Sequence, residues 1–501
     1  MKLKYIIVAI ITSLSFTSCM DMDIDNMNNP DTDLVLGDGD AVKALTGGLF
    51  KTWFGALHDN YWALDKRTET PGHVLWYLSD NGTTSWANHG AYDLGMEPRV
   101  AYNNTPTYSR RELTESYYKN VASVATSAVD VLTAIEGGVE IGKNGEETQM
   151  VRAFAKFVQG ISNGYLGLMF DKSFPVRTKE DFDNLEFVSY QEMLNIGVSQ
   201  LEEVVAICES NQFVLPEVWI PGANYSNVEL GELANSFIAR LLVYGPRNKA
   251  QDDATDWAKV LMHAEKGIQQ DLAPISDGNW GSWRSQYINN TVRDGWGKID
   301  MRIINMMDPN MPATFPESGD ISELPNNGLA TSDDARLLTD FSYDDKNDKP
   351  ERGYYRWSSY RYKRLDNIAV SDYGPGEAIT EFRKAENDLF IAEAKLRNGD
   401  IAGAADIVNA GTRVTRGELP EVAVEEQVVK EAIWYERNIE LVLLGVGVNF
   451  FDMRRNDLLQ QGTLLHFPFP AQQLQLLGLP FYTFGGTEGV PGEDYSIGGW
   501  K

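Results

Sequence analysis

Residues 147–170, ETQMVRAFAKFVQGISNGYLGLMF, are the stretch of this chain that decides its fold. Within this stretch, Phe154, Phe157, Ile161 and Tyr165 recur at spacings of three or four residues. Such spacing places apolar side chains on one face of an α-helix. The stretch therefore predicts a long helix that buries an aromatic face against its neighbours.

Helical periodicity continues on both sides of this stretch, in two blocks of the chain. Ser189 and Glu192 have the spacing of a capping box ahead of one helix, and Gly399-Asp400 predicts a tight turn between two others. Further helices are predicted at these approximate ranges: 189–208, 229–245, 256–268, 377–397, 401–415, 424–444 and 470–478. The pattern indicates helix–turn–helix pairs that pack side by side.

Small residues stand where neighbouring helices would need to approach each other closely. Gly160, Gly164, Ala392 and Ala394 are examples. This arrangement resembles tetratricopeptide-type pairing, although the period of about 34 residues typical of such repeats is not preserved. The predicted fold class is therefore all-α, with tetratricopeptide-like helix pairs.

Two stretches between the helical blocks, 56–110 and 271–374, lack helical periodicity. They hold seven of the 12 tryptophans, more than an even spread would place there. Long irregular segments in compact proteins usually carry function. We therefore expect a large irregular ligand-binding subdomain on a helical scaffold of about 36–55, 111–270 and 375–480.

The N-terminal residues resemble a secretory signal peptide. Two lysines open the chain, an apolar run of about a dozen residues ends at Phe16, and Cys19 follows. The run is too short to span a bilayer. A cysteine at the first mature position is the acceptor for bacterial lipoprotein acylation. We predict a signal peptide over 1–18, lipid attachment at Cys19 and an acidic tether over 19–35.

Composition restricts the partners of this chain. Its 72 acidic and 44 basic residues give a formal net charge of −28, which repels nucleic acid and anionic lipid. Neutral and cationic ligands remain open. Cys208, the second of two cysteines, follows apolar residues at helical spacing and is expected in a core.

Sequence matches to enzyme motifs fail on their context. Gly160 to Gly164 fits G-x-S-x-G, but it lies inside a predicted helix where that chemistry needs a sharp strand-to-helix turn. Gly445-Val446-Gly447 begins a dinucleotide-like pattern, but Phe450 replaces its third glycine. The histidines show no metal-binding pair such as H-E-x-x-H. We expect no catalytic residue, metal site or cofactor.

Aromatic and polar side chains interleave in the two irregular stretches. Indole rings offer flat apolar faces on which sugar rings stack, while Asp, Asn and Arg reach the hydroxyls. The expected ligand-binding residues are Trp76, Asp80, Asn81, Trp86, Trp280, Trp283, Arg284 and Trp296. The alternative is that these side chains fix long loops to the scaffold.

Motifs spread over nearly the whole chain point to one family. They are Cys19 with Asn28-Asn29-Pro30; Ala153-Phe154, Gly160, Tyr165 and Asp171 to Pro175; Glu386 to Ala394, Gly399-Asp400, Ala404-Ala405, Asn409 and Arg413; and Tyr435-Glu436-Arg437, Glu440-Leu441, Gly445, Asp452, Arg454-Arg455 and Phe467 to Pro470. The chain resembles the SusD/RagB family of outer-membrane nutrient-binding lipoproteins of Bacteroidota-type bacteria. Leu444 and Gly447 depart from the family pattern, which indicates a divergent member.

The resemblance implies a SusD-like fold over 36–501 and a role at the cell surface. Such proteins are anchored in the outer membrane by lipid and cap a SusC-like TonB-dependent transporter. They bind an oligosaccharide, or in some branches a peptide, and deliver it for import without breaking a bond. The alternatives are a peptide-binding lid of the RagB type and an envelope glycoside hydrolase. Glu436, Arg437 and Glu440 are expected to form ion pairs along a helix face that fix the fold.

Overall fold

Helices dominate the computed structural model of the chain, which describes residues 35–59, 70–84, 90–313, 328–344, 358–370 and 373–500. In chain order these helices are α1 (Gly39–His58), α2 (Pro71–Leu78), α3 (Ala91–Gly95), α4 (Glu112–Glu136), α5 (Thr148–Met169), α6 (Glu180–Asp183), α7 (Tyr190–Ser210), α8 (Asn227–Tyr244), α9 (Lys249–Asp253), α10 (Trp257–Ala264), α11 (Gln286–Val292), α12 (Met301–Met307), α13 (Arg336–Thr339), α14 (Asp366–Val370), α15 (Lys384–Arg397), α16 (Ile401–Ala410), α17 (Thr412–Thr415), α18 (Glu426–Ile439), α19 (Val448–Arg455) and α20 (Ala471–Leu476). The expected mainly α class is confirmed.

Strands are short and form separate two-stranded antiparallel ladders in the described residues. They are β1 (Gly82–Thr84), β2 (Lys172–Ser173), β3 (Val188–Ser189), β4 (Gly297–Ile299), β5 (Phe341–Tyr343) and β6 (Tyr360–Tyr362). β1 pairs with β4, β2 with β3, and β5 with β6. The ladders tie loops to each other and leave the core to the helices.

The long helices pack in a continuous row. α1 lies on α4, α4 on α5, α5 on α7, α7 on α8, and α8 on α10. α10 then lies on α15, which packs against α16 and α18. Neighbours in the row are mostly neighbours in sequence, as in a tetratricopeptide-like array.

Glycines allow the central helices to approach each other closely, as expected at Gly160 and Gly164. A Cβ at Gly160 would lie 2.9 Å from Leu201 of α7, and one at Gly164 would lie 2.5 Å from Leu241 of α8. Gly197 of α7 lies in the contact between α5 and α7, because a Cβ there would lie 2.8 Å from the backbone of Gly160 and Gly164. Any larger residue at these positions would push the helices apart.

Arginines with buried ion-pair partners join the C-terminal helices to the rest of the scaffold. Arg455 of α19 contacts Glu393 of α15 at 2.7 Å, Asp452 at 2.7 Å and Asp252 at 2.6 Å. Arg437 of α18 adds a second contact to Glu393 at 2.8 Å. Burial alone would raise the pKa of Glu393, but the charges of Arg455 and Arg437 outweigh it and lower that pKa to about 2.

The expected ion pairs of α18 exist, but their partners come from other elements. Glu436 contacts Arg336 of α13 at 2.7 Å, and Glu440 contacts Arg416 at 2.5 Å. The expectation of a set along one helix face is therefore corrected. These side chains face inward. The Glu436–Arg336 pair connects residues that are 100 positions apart in sequence, and the Glu440–Arg416 pair connects residues 24 apart.

Cys208 is buried in the core, as expected, and burial raises the pKa of its thiol to about 12. Among the described helices, none combines the length and apolar character needed to cross a lipid bilayer. The residues of the predicted signal peptide, Cys19 and the start of the tether lie outside the described residues.

Candidate functional site

The two stretches expected to be irregular contain short helices and are joined to each other. β1 of the first stretch pairs with β4 of the second, and Thr84 lies opposite Gly297. Directly beyond this ladder, the Asp300 amide donates to the Asn81 carbonyl at 3.0 Å. Residues from both stretches therefore form one unit beside the helical row.

Asp300 is a buried carboxyl at this junction. Desolvation raises its pKa to about 8, and the backbone hydrogen bond from Arg302 and the charges of Arg302 and Arg99 offset only part of that rise. The same burial lowers the pKa of both Arg99 and Arg302 to about 10. Burial at this junction therefore favours the neutral form of each of these groups.

Two of the expected stacking tryptophans lie in the interior. Trp76 of α2 is 3% exposed, and its ring lies against Gly82 so closely that a Cβ on that glycine would overlap it. Trp283 is 5% exposed and packs against Phe50 and Phe54 of α1, with ring centroids 6.1 and 5.4 Å apart. Neither indole offers a sugar an open face, because packing has already covered both.

The expected polar ligand residues Asp80 and Asn81 also lie in the interior. Asp80 accepts hydrogen bonds from Arg99 at 2.6 Å and from the Trp500 indole at 2.9 Å. Asn81 accepts one from Arg302 at 2.6 Å. Both residues therefore lie at the junction between the two stretches and not on the expected binding surface.

Arg284 is fully buried and fixes the second stretch to the end of α1. Its guanidinium donates to Asp59 through Nε at 2.6 Å and through Nη2 at 3.1 Å. A second contact joins the same two segments, because the Nδ1 atom of His58 lies 3.0 Å from the Ser285 hydroxyl. Arg284 is therefore placed as a support and has no exposed surface for a ligand hydroxyl.

Trp280 lies at the surface, as expected for a ligand-binding residue, with 47% of its area exposed. The guanidinium carbon of Arg284 lies 3.3 Å from the centroid of its ring and 3.9 Å from that of Tyr373. The cation is thus held between two aromatic rings, a favourable arrangement for a desolvated guanidinium. Arg284 covers one face of the Trp280 ring, while 47% of the residue's area remains exposed.

The loop that carries Trp280 is held in place by its own hydrogen bonds. The Asp277 amide donates to the Trp283 carbonyl at 2.9 Å, and the Ser282 hydroxyl donates to the Asp277 carboxylate at 2.6 Å. The Ser276 hydroxyl lies 2.7 Å from the carbonyl oxygen of Tyr373, which ties the loop to the segment carrying the second ring. The ring of Trp280 is thus presented on an ordered loop.

Of the other two expected tryptophans, the structure describes Trp296 but not Trp86. Trp296 is half-buried and ends a turn in which its amide donates to the Arg293 carbonyl at 3.1 Å. The exposed Asp294 lies in the same turn. Trp86 lies outside the described residues. A binding role for Trp296 and Trp86 stays a prediction.

Tyr373 is the residue that sequence reasoning missed at this site. It is half-buried and adopts a left-handed φ of 72°, which is unusual for a residue with a side chain. The sequence signal that could have indicated a turn at Tyr373 is the run Gly374-Pro375-Gly376 directly after it. Together, Trp280, Arg284 and Tyr373 form the candidate site, called here the Trp280 platform.

Comparison with known proteins identifies the architecture. The family model described as the SusD family matches residues 286–479. No curated protein sequence matches the chain.

Solved structures with the same fold come from Bacteroides species. A SusD-like carbohydrate-binding protein from Bacteroides fragilis shares 14% identity and a TM-score of 0.56, with 84% of this chain and 86% of that chain covered. Surface glycan-binding protein A from Bacteroides thetaiotaomicron shares 11% identity and a TM-score of 0.58, with 90% and 99% covered. A SusD superfamily protein from Bacteroides vulgatus shares 13% identity and a TM-score of 0.54, with 84% and 88% covered.

Proposed function

We propose that this chain, whose residues 286–479 match the SusD family model and whose fold is that of SusD superfamily structures, binds an oligosaccharide at the Trp280 platform. It delivers the bound oligosaccharide to a SusC-like TonB-dependent transporter for import. The protein itself breaks no bond in this proposal, and it uses no cofactor.

The observation that carries the proposal is the exposed area of Trp280 on its ordered loop. An indole that is 47% exposed and backed by a buried cation at 3.3 Å is a rigid apolar surface in a polar surrounding. The axial C–H bonds of a pyranose fit such a surface. A rigid ring loses little conformational entropy when a ligand binds, so more of the contact energy remains as affinity.

Exposed polar groups beside the ring complete the arrangement. Asp277 and Asn279 are both exposed within the same loop. Their carboxylate and amide can bond to sugar hydroxyls at the rim of the ring. The similar structures from Bacteroides fragilis and Bacteroides thetaiotaomicron are a carbohydrate-binding and a glycan-binding protein, which supports the same ligand class.

The envelope role follows from the N-terminal sequence and the family. We propose that residues 1–18 are removed, that Cys19 is acylated and that the lipid anchors the protein at the outer face of the outer membrane. A TonB-dependent barrel is then the partner. Globomycin treatment of expressing cells, which blocks lipoprotein maturation, should leave an uncleaved precursor, whereas the Cys19→Ala variant should lose lipid labelling.

Binding to a panel of neutral oligosaccharides, measured by calorimetry at low and high ionic strength, tests the ligand class. We expect at least one glycan to bind with nearly the same affinity at both salt concentrations, because stacking on Trp280 involves no net charge. Trp280→Ala should weaken that binding. Failure of the whole panel, or full affinity in the variant, would contradict the proposal.

A peptide is the second candidate ligand, favoured by the net charge of −28 and by the exposed carboxylates Asp277 and Asp294. Basic peptides would then bind more weakly as salt rises, which distinguishes them from neutral sugars. Release of reducing sugar from a glycan by the pure protein would favour the remaining alternative, an envelope glycoside hydrolase.

A further inference from the structure

A second concave site lies in the helical scaffold, away from the loop that carries Trp280. It is a cleft of about 620 Å³ between α15, α18 and α19. This volume is within the range of roughly 300–1,000 Å³ found for small-molecule sites. The residues that line the cleft include none from the Trp280 platform.

Charged side chains around this cleft are largely paired with each other. Arg455 bonds to Glu393 at 2.7 Å and to Asp452 at 2.7 Å. Arg437 bonds to Glu393 at 2.8 Å, and Arg397 bonds to Asp253 at 2.8 Å. A charged ligand that reached the buried groups of the cleft would have to break one of these pairs, which is costly for buried charges. The cleft therefore favours a ligand without net charge.

Three buried polar atoms on cleft residues have no hydrogen-bond partner among the described residues. They are the donors Trp434 Nε1 and Arg437 Nε and the acceptor Asp452 Oδ2. Arg437 and Asp452 are both almost completely buried, and an unsatisfied buried polar atom is unfavourable. The cleft thus offers two donors and one acceptor.

Arg437 Nε and Asp452 lie close enough for one oxygen to bridge them. Arg437 Nε lies 3.7 Å from the Oδ1 atom of Asp452, so the adjacent Oδ2 is within reach of the same bridging group. Trp434 precedes Arg437 by three residues on α18, which places the two side chains on the same helix face. A hydroxyl group accepts from donors such as these and donates to a carboxylate oxygen.

We propose that this cleft is a second ligand site, which binds a neutral hydroxylated molecule of the size of a mono- or disaccharide. One hydroxyl accepts from Arg437 Nε and Trp434 Nε1 and donates to Asp452 Oδ2. The apolar side chains of Leu396 and Ile433 and the half-exposed ring of Trp434 line the same cleft and contact the C–H face of the ligand. The site is independent of the Trp280 platform.

Saturation-transfer NMR on the purified protein tests this proposal with neutral hexoses and their disaccharides as probes. We expect at least one probe to bind at millimolar concentration. Trp434→Phe keeps an aromatic ring but removes the donor, so it should weaken binding roughly three- to tenfold. Trp257→Phe is the matched control, because Trp257 Nε1 also lacks a partner among the described residues but does not line the cleft.

Trp280→Ala separates this proposal from the main binding function. It should leave the affinity of the cleft probe unchanged, whatever it does to oligosaccharide binding. The inference is overturned if no neutral probe binds, if Trp434→Phe binds as tightly as the wild type, or if sugar acids bind more tightly than neutral sugars. A crystal structure with only a water between Arg437 Nε and Asp452 Oδ2 in saturating sugar would also overturn it.

Discussion

The helical row and the joined loop unit use the same residue types for different purposes. In the row, buried arginines such as Arg455 hold helices together through carboxylates. In the loop unit, Arg284 and Arg302 do the same for loops, through Asp59 and Asn81. What distinguishes the loop unit, among its described residues, is that the Trp280 ring is exposed. Aromatic and polar composition alone therefore identifies a loop region, while burial decides which residue meets a ligand.

Trp280 and Trp283 show the difference within one loop. They are three residues apart, yet the first is 47% exposed and the second is packed on Phe54 of α1. Gly281 lies between them with a left-handed φ of 69°, which reverses the chain direction. One tryptophan anchors the loop and the other is displayed by it.

The largest effect is expected when the ionic contacts of the helical row are broken. Arg455→Met leaves three buried carboxylates with fewer partners and should lower the free energy of unfolding by about 3–5 kcal/mol. The control is Lys384→Met, which removes an exposed pair with Asp388 and should cost less than about 1 kcal/mol. Urea unfolding measures both, and equal losses would show that the buried network does not stabilise the row.

A smaller loss of stability is expected when the junction within the loop unit is disturbed. A Cβ at Gly297 would overlap the Thr291 carbonyl oxygen, so Gly297→Ala should separate β1 from β4 and cost about 2–3 kcal/mol. Gly48→Ala is the matched control, because a Cβ there meets nothing within 4 Å and alanine favours the α1 helix. Thermal unfolding should therefore give a lower Tm than the wild type for Gly297→Ala and a higher Tm for Gly48→Ala.

The junction should also have its own pH dependence. Because the pKa of Asp300 is raised to about 8 in the folded protein, the folded state keeps a proton that the unfolded chain loses above about pH 4. Its contribution to stability is therefore fully present at low pH and falls between about pH 4 and about pH 8.

Asp300→Asn removes this titration and keeps the N-cap of α12. Relative to the wild type, the variant should gain at least about 1 kcal/mol of unfolding free energy as the pH rises across that interval. Urea unfolding at the two ends of the interval measures the difference. A difference that does not change with pH would mean that Asp300 is ionised in the folded protein.

The smallest expected change in free energy concerns the exposed ring. Trp280→Ala should reduce oligosaccharide affinity by about 1 kcal/mol, which is roughly five- to tenfold. Phe481 is 48% exposed outside the loop unit, so Phe481→Ala removes a ring of equal exposure as a control. Calorimetry should show unchanged affinity in this control. Equal losses in both variants would mean that no specific platform exists.

The sequence predicted the helical row well, because helix periodicity and capping are local. Helix α7 begins at Tyr190 directly after the predicted cap Ser189, and α5 spans Thr148–Met169 where 147–170 was expected. The close approach at Gly160 followed from residue size alone.

The loop unit could not be predicted to the same extent, because its contacts join residues that are far apart in sequence. Arg284 meets Asp59 across 225 residues, and Arg302 meets Asn81 across 221. No local pattern shows which polar side chain finds such a partner. Tyr373 was missed for the same reason, since only the folded chain brings it onto Arg284.

The most direct measurement is a crystal structure of the protein with the oligosaccharide that binds it most tightly. We expect a sugar ring on the outer face of Trp280, with Arg284 still against the inner face and no ligand contact at Trp76 or Trp283. A ligand that is bound without touching Trp280, or that reaches the two buried indoles, would contradict this expectation.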